Sequence, residues 1–87
     1  MNATNDAAYG RAQHAIAELK AAVRSVLDGA VPPGLSNAQI GRTLGIYGGH
    51  VGHEGHLSRT MLAMLEAEGV AGQDPATKLW QLRSHEG

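Results

Sequence analysis

The sequence predicts an α+β fold in which three helices are followed by a two-stranded β-hairpin. Apolar residues recur at helical spacing in two segments of the chain. Between these segments, Ser36 followed by Gln39 has the pattern of a capping box and begins a shorter helix. After the last helix, an Asp-Pro dipeptide at position 74 is a turn signal between two short segments with strand character. The expected order is helix, helix, helix, strand, strand, with an ordered core over about 7–83.

The composition indicates one small domain spanning 1–87 with an aliphatic core, because the chain has no Phe, one Trp and two Tyr. Cysteine is absent, which excludes disulfides and thiolate metal sites and fits a cytoplasmic protein. No apolar run approaches the roughly 20 residues that cross a bilayer, and the N-terminus lacks a secretory pattern, so we expect no membrane association. The formal net charge is −1, so nucleic-acid binding would require the seven basic residues to cluster locally.

The first helix is expected over 7–28, where five apolar residues fall on one helical stripe. These residues are Ile16, Leu19, Val23, Val26 and Leu27. Asn5 or Asp6 is placed to cap this helix, and Gly29 is placed to end it. The Ala-rich N-terminal half has two interpretations: it faces a partner subunit, or the alanines only reflect high helix propensity. The sequence VPPG at 31–34 cannot continue the helix.

The second helix is expected over 37–44. Ser36 is its N-cap, and Gln39, three residues later, completes the capping box. Gly45 is expected to end the helix in the left-handed conformation. Gly41 weakens the helix by up to about 1 kcal/mol relative to Ala, which suggests that it lets another helix pack closely.

The third helix is expected from residue 54 or 55 to residue 68, with Gly69 as its stop. The connector before it, 46–55, contains four glycines and two histidines, a content that indicates positive φ angles or close backbone approach. The apolar spacing predicts one buried and one exposed face. The expected buried residues are Leu57, Met61, Met64 and Leu65, and the expected exposed residues are His56, Arg59, Ala63 and Glu66.

Strands are expected over 70–73 and 78–82, joined by a type I turn at 74–77. In the second strand Trp80 and Leu82 share a face, because side chains alternate along a strand. The ring of Trp80 is expected to close the core under the hairpin. A very short extra strand at 34–35 is expected to pair with the hairpin.

The chain resembles the winged helix-turn-helix domains of bacterial marR/arsR-like transcriptional regulators in three successive segments, LSNAQIGRTLG, GHLSRTMLAMLEAEGV and KLWQLR. The resemblance covers about 16–83 and implies a recognition helix over about 54–68 and a wing over 70–83. It also implies that a homodimer binds double-stranded DNA through two half-sites, without enzymatic activity. The connector is several residues longer than the usual turn of these regulators. The cysteine motif of arsR-type sensors is missing, so the metal chemistry of that family is not implied.

The resemblance implies two groups of DNA-binding residues. Those expected near the bases are Arg59, His56, Ser58 and Thr60, and those expected near the phosphates are Arg42, Lys78 and Arg83. Arginine reads guanine or contacts phosphate, whereas phosphate contacts position a protein without reading sequence. The alternative is that Arg59 pairs with Glu66 or Glu54 and that the other cations are ordinary solvated charges.

The histidines His50, His53 and His56 form the pattern H-x-x-H-x-x-H, and imidazoles ligate Zn²⁺ or Ni²⁺, with Glu54 as a candidate fourth ligand. The intervening glycines disfavour a helix, and the spacing is not that of a zinc peptidase. We therefore expect no metal and no cofactor, and turn histidines that bond backbone carbonyls or contact phosphate when protonated. The chain also lacks a nucleotide-binding glycine motif and a nucleophile–base–acid set, so we expect no enzyme.

Three functions remain open on the sequence. The leading one is DNA-binding transcriptional regulation. The second is a winged-helix protein-protein interaction module without DNA binding. The acidic balance, with Glu66 and Glu68 beside the recognition helix, supports it. A metal-responsive regulator would use the histidine cluster.

Overall fold

The computed structural model describes residues 3–48 and 54–83, with side chains from residue 5 onward. These residues form three helices and a two-stranded antiparallel hairpin, which confirms the expected α+β class and the order of the elements. The helices are α1 (Ala3–Asp28), α2 (Asn37–Thr43) and α3 (His56–Ala67), and the strands are β1 (Ala71–Gln73) and β2 (Trp80–Leu82). Within the described ranges, no helix has the length and apolar content to cross a membrane.

The α1 helix begins at Ala3, earlier than the sequence predicted. Asn5 and Asp6 therefore lie inside the helix, and the prediction that one of them is the N-cap is wrong. The high helix propensity of the alanines in this segment favours the extra turn. The stripe expected to face the core does so, through buried Val23 and Leu27 and half-buried Ile16, Leu19 and Val26. By contrast, the side chains of 5–15 are all exposed.

The start of α2 is the capping box that the sequence predicted. The backbone N–H of Gln39 donates to Ser36 Oγ at 3.1 Å, and the backbone N–H of Ser36 donates to Gln39 Oε1 at 2.8 Å. The helix ends at Thr43, and Gly45 follows with a φ of 72°, in the left-handed region as expected. The ends of α2 therefore depend on local hydrogen bonds and on one glycine.

The core lies where α1, α2, α3 and the hairpin meet. Its buried apolar residues are Val23, Leu27, Ile40, Met61, Leu62, Leu65, Ala71 and Trp80. Trp80 is 5% exposed, so its ring closes the core under the hairpin as predicted.

The expected extra strand at 34–35 is a single antiparallel bridge between Leu35 and Trp80. The N–H of Leu35 donates to the carbonyl of Trp80 at 3.0 Å, and the N–H of Trp80 donates to the carbonyl of Leu35 at 2.7 Å. The next position of this ladder is Pro33, which has no N–H, so the pairing cannot extend. Gly34 has a φ of 110°, and a Cβ at this position would lie 2.9 Å from Gln81 Cγ, so the bridge requires glycine there.

The buried face of α3 differs from the prediction. Leu57 was expected in the core but is 47% exposed, whereas Ser58 and Leu62 are completely buried. The face against the core is therefore rotated by one residue at the beginning of the helix. Position 58 faces α2 where the two helices approach closely, since a Cβ added at Gly41 would lie 3.0 Å from Ser58 Oγ, and the small serine side chain fits there. The opposite face is exposed as predicted, at His56, Arg59, Ala63 and Glu66.

The end of α3 is a Schellman motif, as Gly69 predicted. Gly69 has a φ of 77°, and its N–H donates to the backbone carbonyl of Glu66 at 3.0 Å. The N–H of Val70 donates to the carbonyl of Leu65 at 2.9 Å. The hairpin that follows pairs Gly72 with Gln81.

The hairpin loop is longer than the predicted type I turn. Lys78, expected in the second strand, has a φ of 66° and lies in the loop, and its N–H donates to the Asp74 carbonyl at 2.8 Å. The carboxylate oxygen Oδ1 of Asp74 accepts hydrogen bonds from the N–H groups of Ala76 at 2.7 Å and Thr77 at 3.0 Å. These bonds, that of Thr77 first, lower the pKa of Asp74 below its ordinary value.

The lowered pKa predicts how stability changes with pH. The ionised Asp74 carboxylate stabilises the fold above the pKa of the unfolded chain, and this contribution is lost as the pH falls through the lower pKa of the folded state. We expect the Tm difference between the wild type and Asp74→Asn to be largest near neutral pH and to shrink below about pH 4. Thermal unfolding followed by circular dichroism measures it. Asp28→Asn, at another exposed carboxylate, controls for net charge, and a Tm difference that is constant with pH would contradict the prediction.

Candidate functional site

The beginning of α3 is fixed by hydrogen bonds to the carbonyl oxygen of Gly55. This oxygen accepts from Asn37 Nδ2 at 3.2 Å, from Ser58 Oγ at 3.2 Å and from the backbone N–H of Arg59 at 3.0 Å. Gly55 is buried with a φ of 81°, so the helix begins at His56 and not at residue 54 or 55 as predicted. The first residue of α2 is therefore bonded directly to the residue that precedes α3.

The ring of Tyr47 lies against two glycines, which both approach its Cδ1 atom. A Cβ added at Gly41 would lie 3.0 Å from Tyr47 Cβ and Cδ1, and one added at Gly55 would lie 2.7 Å from Tyr47 Cε1. We call this space the Gly41–Gly55 slot. Gly41 is buried, and its added Cβ would also lie 3.0 Å from Ser58 Oγ, so the prediction of close packing at Gly41 is confirmed. Tyr47 is half-buried and packs against both glycines.

Arg42 stacks on the exposed side of this ring. The guanidinium carbon Cζ lies 4.7 Å from the centroid of Tyr47, a distance typical of a cation–π contact. Because the same ring touches Gly55, the stack brings Arg42 close to the beginning of α3. Arg42 itself is exposed.

The outward face of α3 carries three of the four residues expected near the bases. His56, Arg59 and Thr60 are exposed within the first turns of the helix. Ser58 is a correction, because it is completely buried and its hydroxyl donates to the carbonyl of Gly55. Its role is to anchor the helix and not to contact a ligand. Within the described part of the chain, no ion pair joins Arg59 to Glu66.

The two remaining cations lie on the hairpin. Lys78 is exposed in the loop before β2, and Arg83 is exposed directly after β2. The side chain of Arg83 lies against the backbone of Gly72, with Nε 3.2 Å from the place of an added Cβ. Arg83 also lines a shallow cleft of about 390 Å³ on the hairpin, together with Gln73 and Gln81. The expected cations thus fall into two groups, one at the beginning of α3 and one on the hairpin.

A long-range ion pair connects α1 to the far end of α3. Lys20 Nζ lies 2.6 Å from Glu68 Oε2, and the two side chains are 24% and 47% exposed. A pair with this exposure contributes about 1 kcal/mol or less. Lys20 therefore neutralises Glu68, one of the two glutamates that the sequence predicts beside the third helix. Because the partners are 48 positions apart, no local pattern in the sequence points to this pair.

Sequence reasoning also missed Asn37, whose amide joins α2 to Gly55. Its Oδ1 is buried and accepts no hydrogen bond from the residues that the structure describes. The asparagine stands directly after the N-cap, where its side chain carries no periodic signal. Only the fold shows that it faces Gly55.

The histidine cluster falls mostly outside the described residues, since these do not include His50 and His53. Within 3–48 and 54–83, no group of three or more His, Asp or Glu side chains is arranged to hold a metal ion. Comparisons with protein-family models, curated proteins and solved structures find no match to this chain.

The Gly41–Gly55 slot predicts opposite effects for two glycine-to-alanine substitutions in helices. Gly41→Ala forces a methyl against Tyr47 and Ser58, and we expect it to destabilise the fold by about 1–2 kcal/mol. Gly10→Ala is the matched control in α1, because no atom lies within 4 Å of its added Cβ. We expect it to stabilise the fold by up to about 1 kcal/mol. Urea unfolding followed by Trp80 fluorescence measures both, and equal stabilisation by the two substitutions would rule out the close packing.

Proposed function

We propose that this chain is a winged helix-turn-helix domain that binds double-stranded DNA and regulates transcription in the cytoplasm. The α2 and α3 helices form the helix-turn-helix, α3 is the recognition helix, and the hairpin is the wing. The observation that carries the proposal is the beginning of α3. There an exposed polar face with Arg59 lies on a helix whose first turn is fixed to α2 through Gly55. DNA reading requires a helix that is both exposed and rigidly oriented.

In the proposed complex the first turns of α3 enter the major groove. The guanidinium of Arg59 can donate two hydrogen bonds to O6 and N7 of a guanine, the commonest specific contact of this kind. His56 and Thr60 lie beside it on the exposed face and add polar contacts. This binding involves no chemical step, so the proposed function is not enzymatic.

Arg42, Lys78 and Arg83 are the proposed phosphate contacts. Their exposure, on α2 and in the segments before and after β2, supports this role, because such contacts position a protein on the duplex. The formal net charge is −1, so the proposed contacts depend on these three cations being exposed while the carboxylate of Glu68 is paired with Lys20.

The N-terminal half of α1 supports a homodimer. Its side chains from 5 to 15 are all exposed, and Tyr9 is 60% exposed. Tyr9, Ala12 and Ile16 continue, at helical spacing, the stripe that packs on the core further along. An isolated helical segment of this length is marginally stable in water, so packing against the same segment of a second copy would stabilise it. A dimer would also supply two half-sites, which raise the affinity of a 9.1 kDa domain.

The base contact proposed for Arg59 is tested with Arg59→Ala. The ligand is a DNA duplex that the wild-type protein has selected from a pool of random sequences. We expect affinity to fall by about 10- to 100-fold, because the loss of a bidentate base contact costs about 1–3 kcal/mol. Fluorescence anisotropy at fixed salt measures it. Glu66→Gln, two turns along the same exposed face, is the control and should not lose affinity. Unchanged binding by Arg59→Ala would refute the proposal.

The dimer is tested by placing one charge on either side of α1. Ala12→Glu puts a carboxylate on the stripe shared with Tyr9, and we expect a molecular mass equal to the 9.1 kDa monomer. Ala17→Glu adds the same charge on the other side of the helix and should leave twice that mass. Sedimentation equilibrium distinguishes the two. Equal masses for both variants would contradict pairing through this stripe.

A protein-interaction module is the second candidate, favoured by the 47% exposure of Leu57 beside the same polar face. An exposed leucine on a recognition surface suits an apolar pocket of a protein partner. Salt dependence separates the two candidates. A DNA-binding domain loses affinity for duplex DNA steeply as salt rises, whereas an interaction module shows no saturable DNA binding even at low salt.

A further inference from the structure

We propose that Tyr47 is a positioning residue that holds Arg42 in place for a DNA phosphate and links this contact to the orientation of α3. The inference rests on the proposed DNA binding and adds to it a residue that is not among the proposed DNA contacts. It follows from the contacts of one aromatic ring with two helices.

In the Gly41–Gly55 slot, the backbones of both glycines lie against the Cδ1 edge of the Tyr47 ring. Its Cβ and Cδ1 lie against the backbone of α2 at Gly41, and its Cε1 lies against the backbone at Gly55, directly before α3. Both contacts are with main chain, so no neighbouring side chain can turn aside to widen the slot. The space available to the ring therefore depends on where α2 places Gly41 and where Gly55 lies before α3.

Arg42 lies over the face of this ring, with Cζ 4.7 Å from its centroid. Stacking uses the flat face of the guanidinium and leaves the N–H donors, which point outward in its plane, free to bind. A bidentate contact with two phosphate oxygens has this geometry. An unstacked surface arginine would lose more side-chain freedom on binding, so the stack prepares Arg42 for an anion.

The position of the stack favours a phosphate of the DNA backbone as the ligand. In helix-turn-helix proteins the first helix of the pair crosses the backbone while the second enters the major groove. Arg42 is on that first helix, and Tyr47 places it beside the beginning of the second. A change in the tilt of α3 would move Gly55, then the ring, then the guanidinium. The phosphate contact of Arg42 and the base contact of Arg59 thereby keep the same position relative to each other.

The test compares salt dependences of binding to the duplex selected by the wild-type protein. The logarithm of the binding constant falls linearly with the logarithm of the salt concentration, and each lost phosphate contact reduces the magnitude of this slope by about 1. We expect this loss in Arg42→Ala and in Tyr47→Leu. Tyr47→Phe, which keeps the aromatic face, should retain the wild-type slope. The double variant Arg42→Ala/Tyr47→Leu should lose no more than Arg42→Ala alone.

A purely structural role for Tyr47 would lower the Tm of Tyr47→Leu without changing its salt slope, and that result would overturn the inference. A Tyr47→Phe slope as low as that of Tyr47→Leu would overturn it as well. If Tyr47→Leu does not fold, proton NMR of the free wild-type protein and of Tyr47→Phe provides the readout. The Arg42 side-chain signals should show a ring-current shift in both, and its absence from the wild type would refute the stack.

Failure of the inference is distinguishable from failure of the proposed function. If the wild type shows no salt-dependent DNA binding, both fail. If the wild type binds, Arg59→Ala loses affinity and Tyr47→Leu keeps the wild-type slope, only the positioning role fails.

Discussion

The carbonyl oxygen of Gly55 is the point on which the arrangement of the helices depends. It accepts hydrogen bonds from α2, through Asn37, and from the first turn of α3, through Ser58 and Arg59. A rotation of α2 against α3 that broke the Asn37 bond would leave the part-buried Asn37 amide without its partner, which disfavours a change in the angle between the helices. The glycine itself is required twice, for its φ of 81° and for the contact with Tyr47. The orientation of the candidate site is thus decided outside α3, one residue before it begins.

The short α2 helix is fixed at its first residues from two directions. On one side Leu35, two residues before the helix, pairs with Trp80 of the hairpin. On the other side Asn37 bonds to the residue before α3. A helix of seven residues is too short to be stable alone, so these tertiary contacts supply what its length does not. The hairpin follows α3, and its Trp80 pairs with Leu35 directly before α2. Both helices are therefore connected to the part of the core that contains Trp80.

Around the candidate site, the sequence predicted the capping box from neighbouring residues and missed contacts that depend on distant backbone. The Ser36–Gln39 box needs only residues three apart, so it could be predicted with its bonds. Which residue of α3 enters the core depends instead on how closely α2 approaches at Gly41, and this placed Ser58 inside and Leu57 outside. The contacts that organise the candidate site join residues without any shared periodicity. They are the Asn37 amide with Gly55, Arg42 with Tyr47, and Lys20 with Glu68.

The capping box has a consequence for the edge of the sheet. An exposed edge strand normally presents unpaired N–H groups to which a strand of another molecule can add. At the edge formed by Leu35, the two outward N–H groups belong to Gly34 and Ser36. The first donates to the carbonyl of Val31 at 2.9 Å, and the second donates to Gln39 Oε1 at 2.8 Å. The side chain of Gln39, which completes the capping box, therefore also occupies the N–H of Ser36 at this edge. Neither outward N–H group is left for a strand of another molecule.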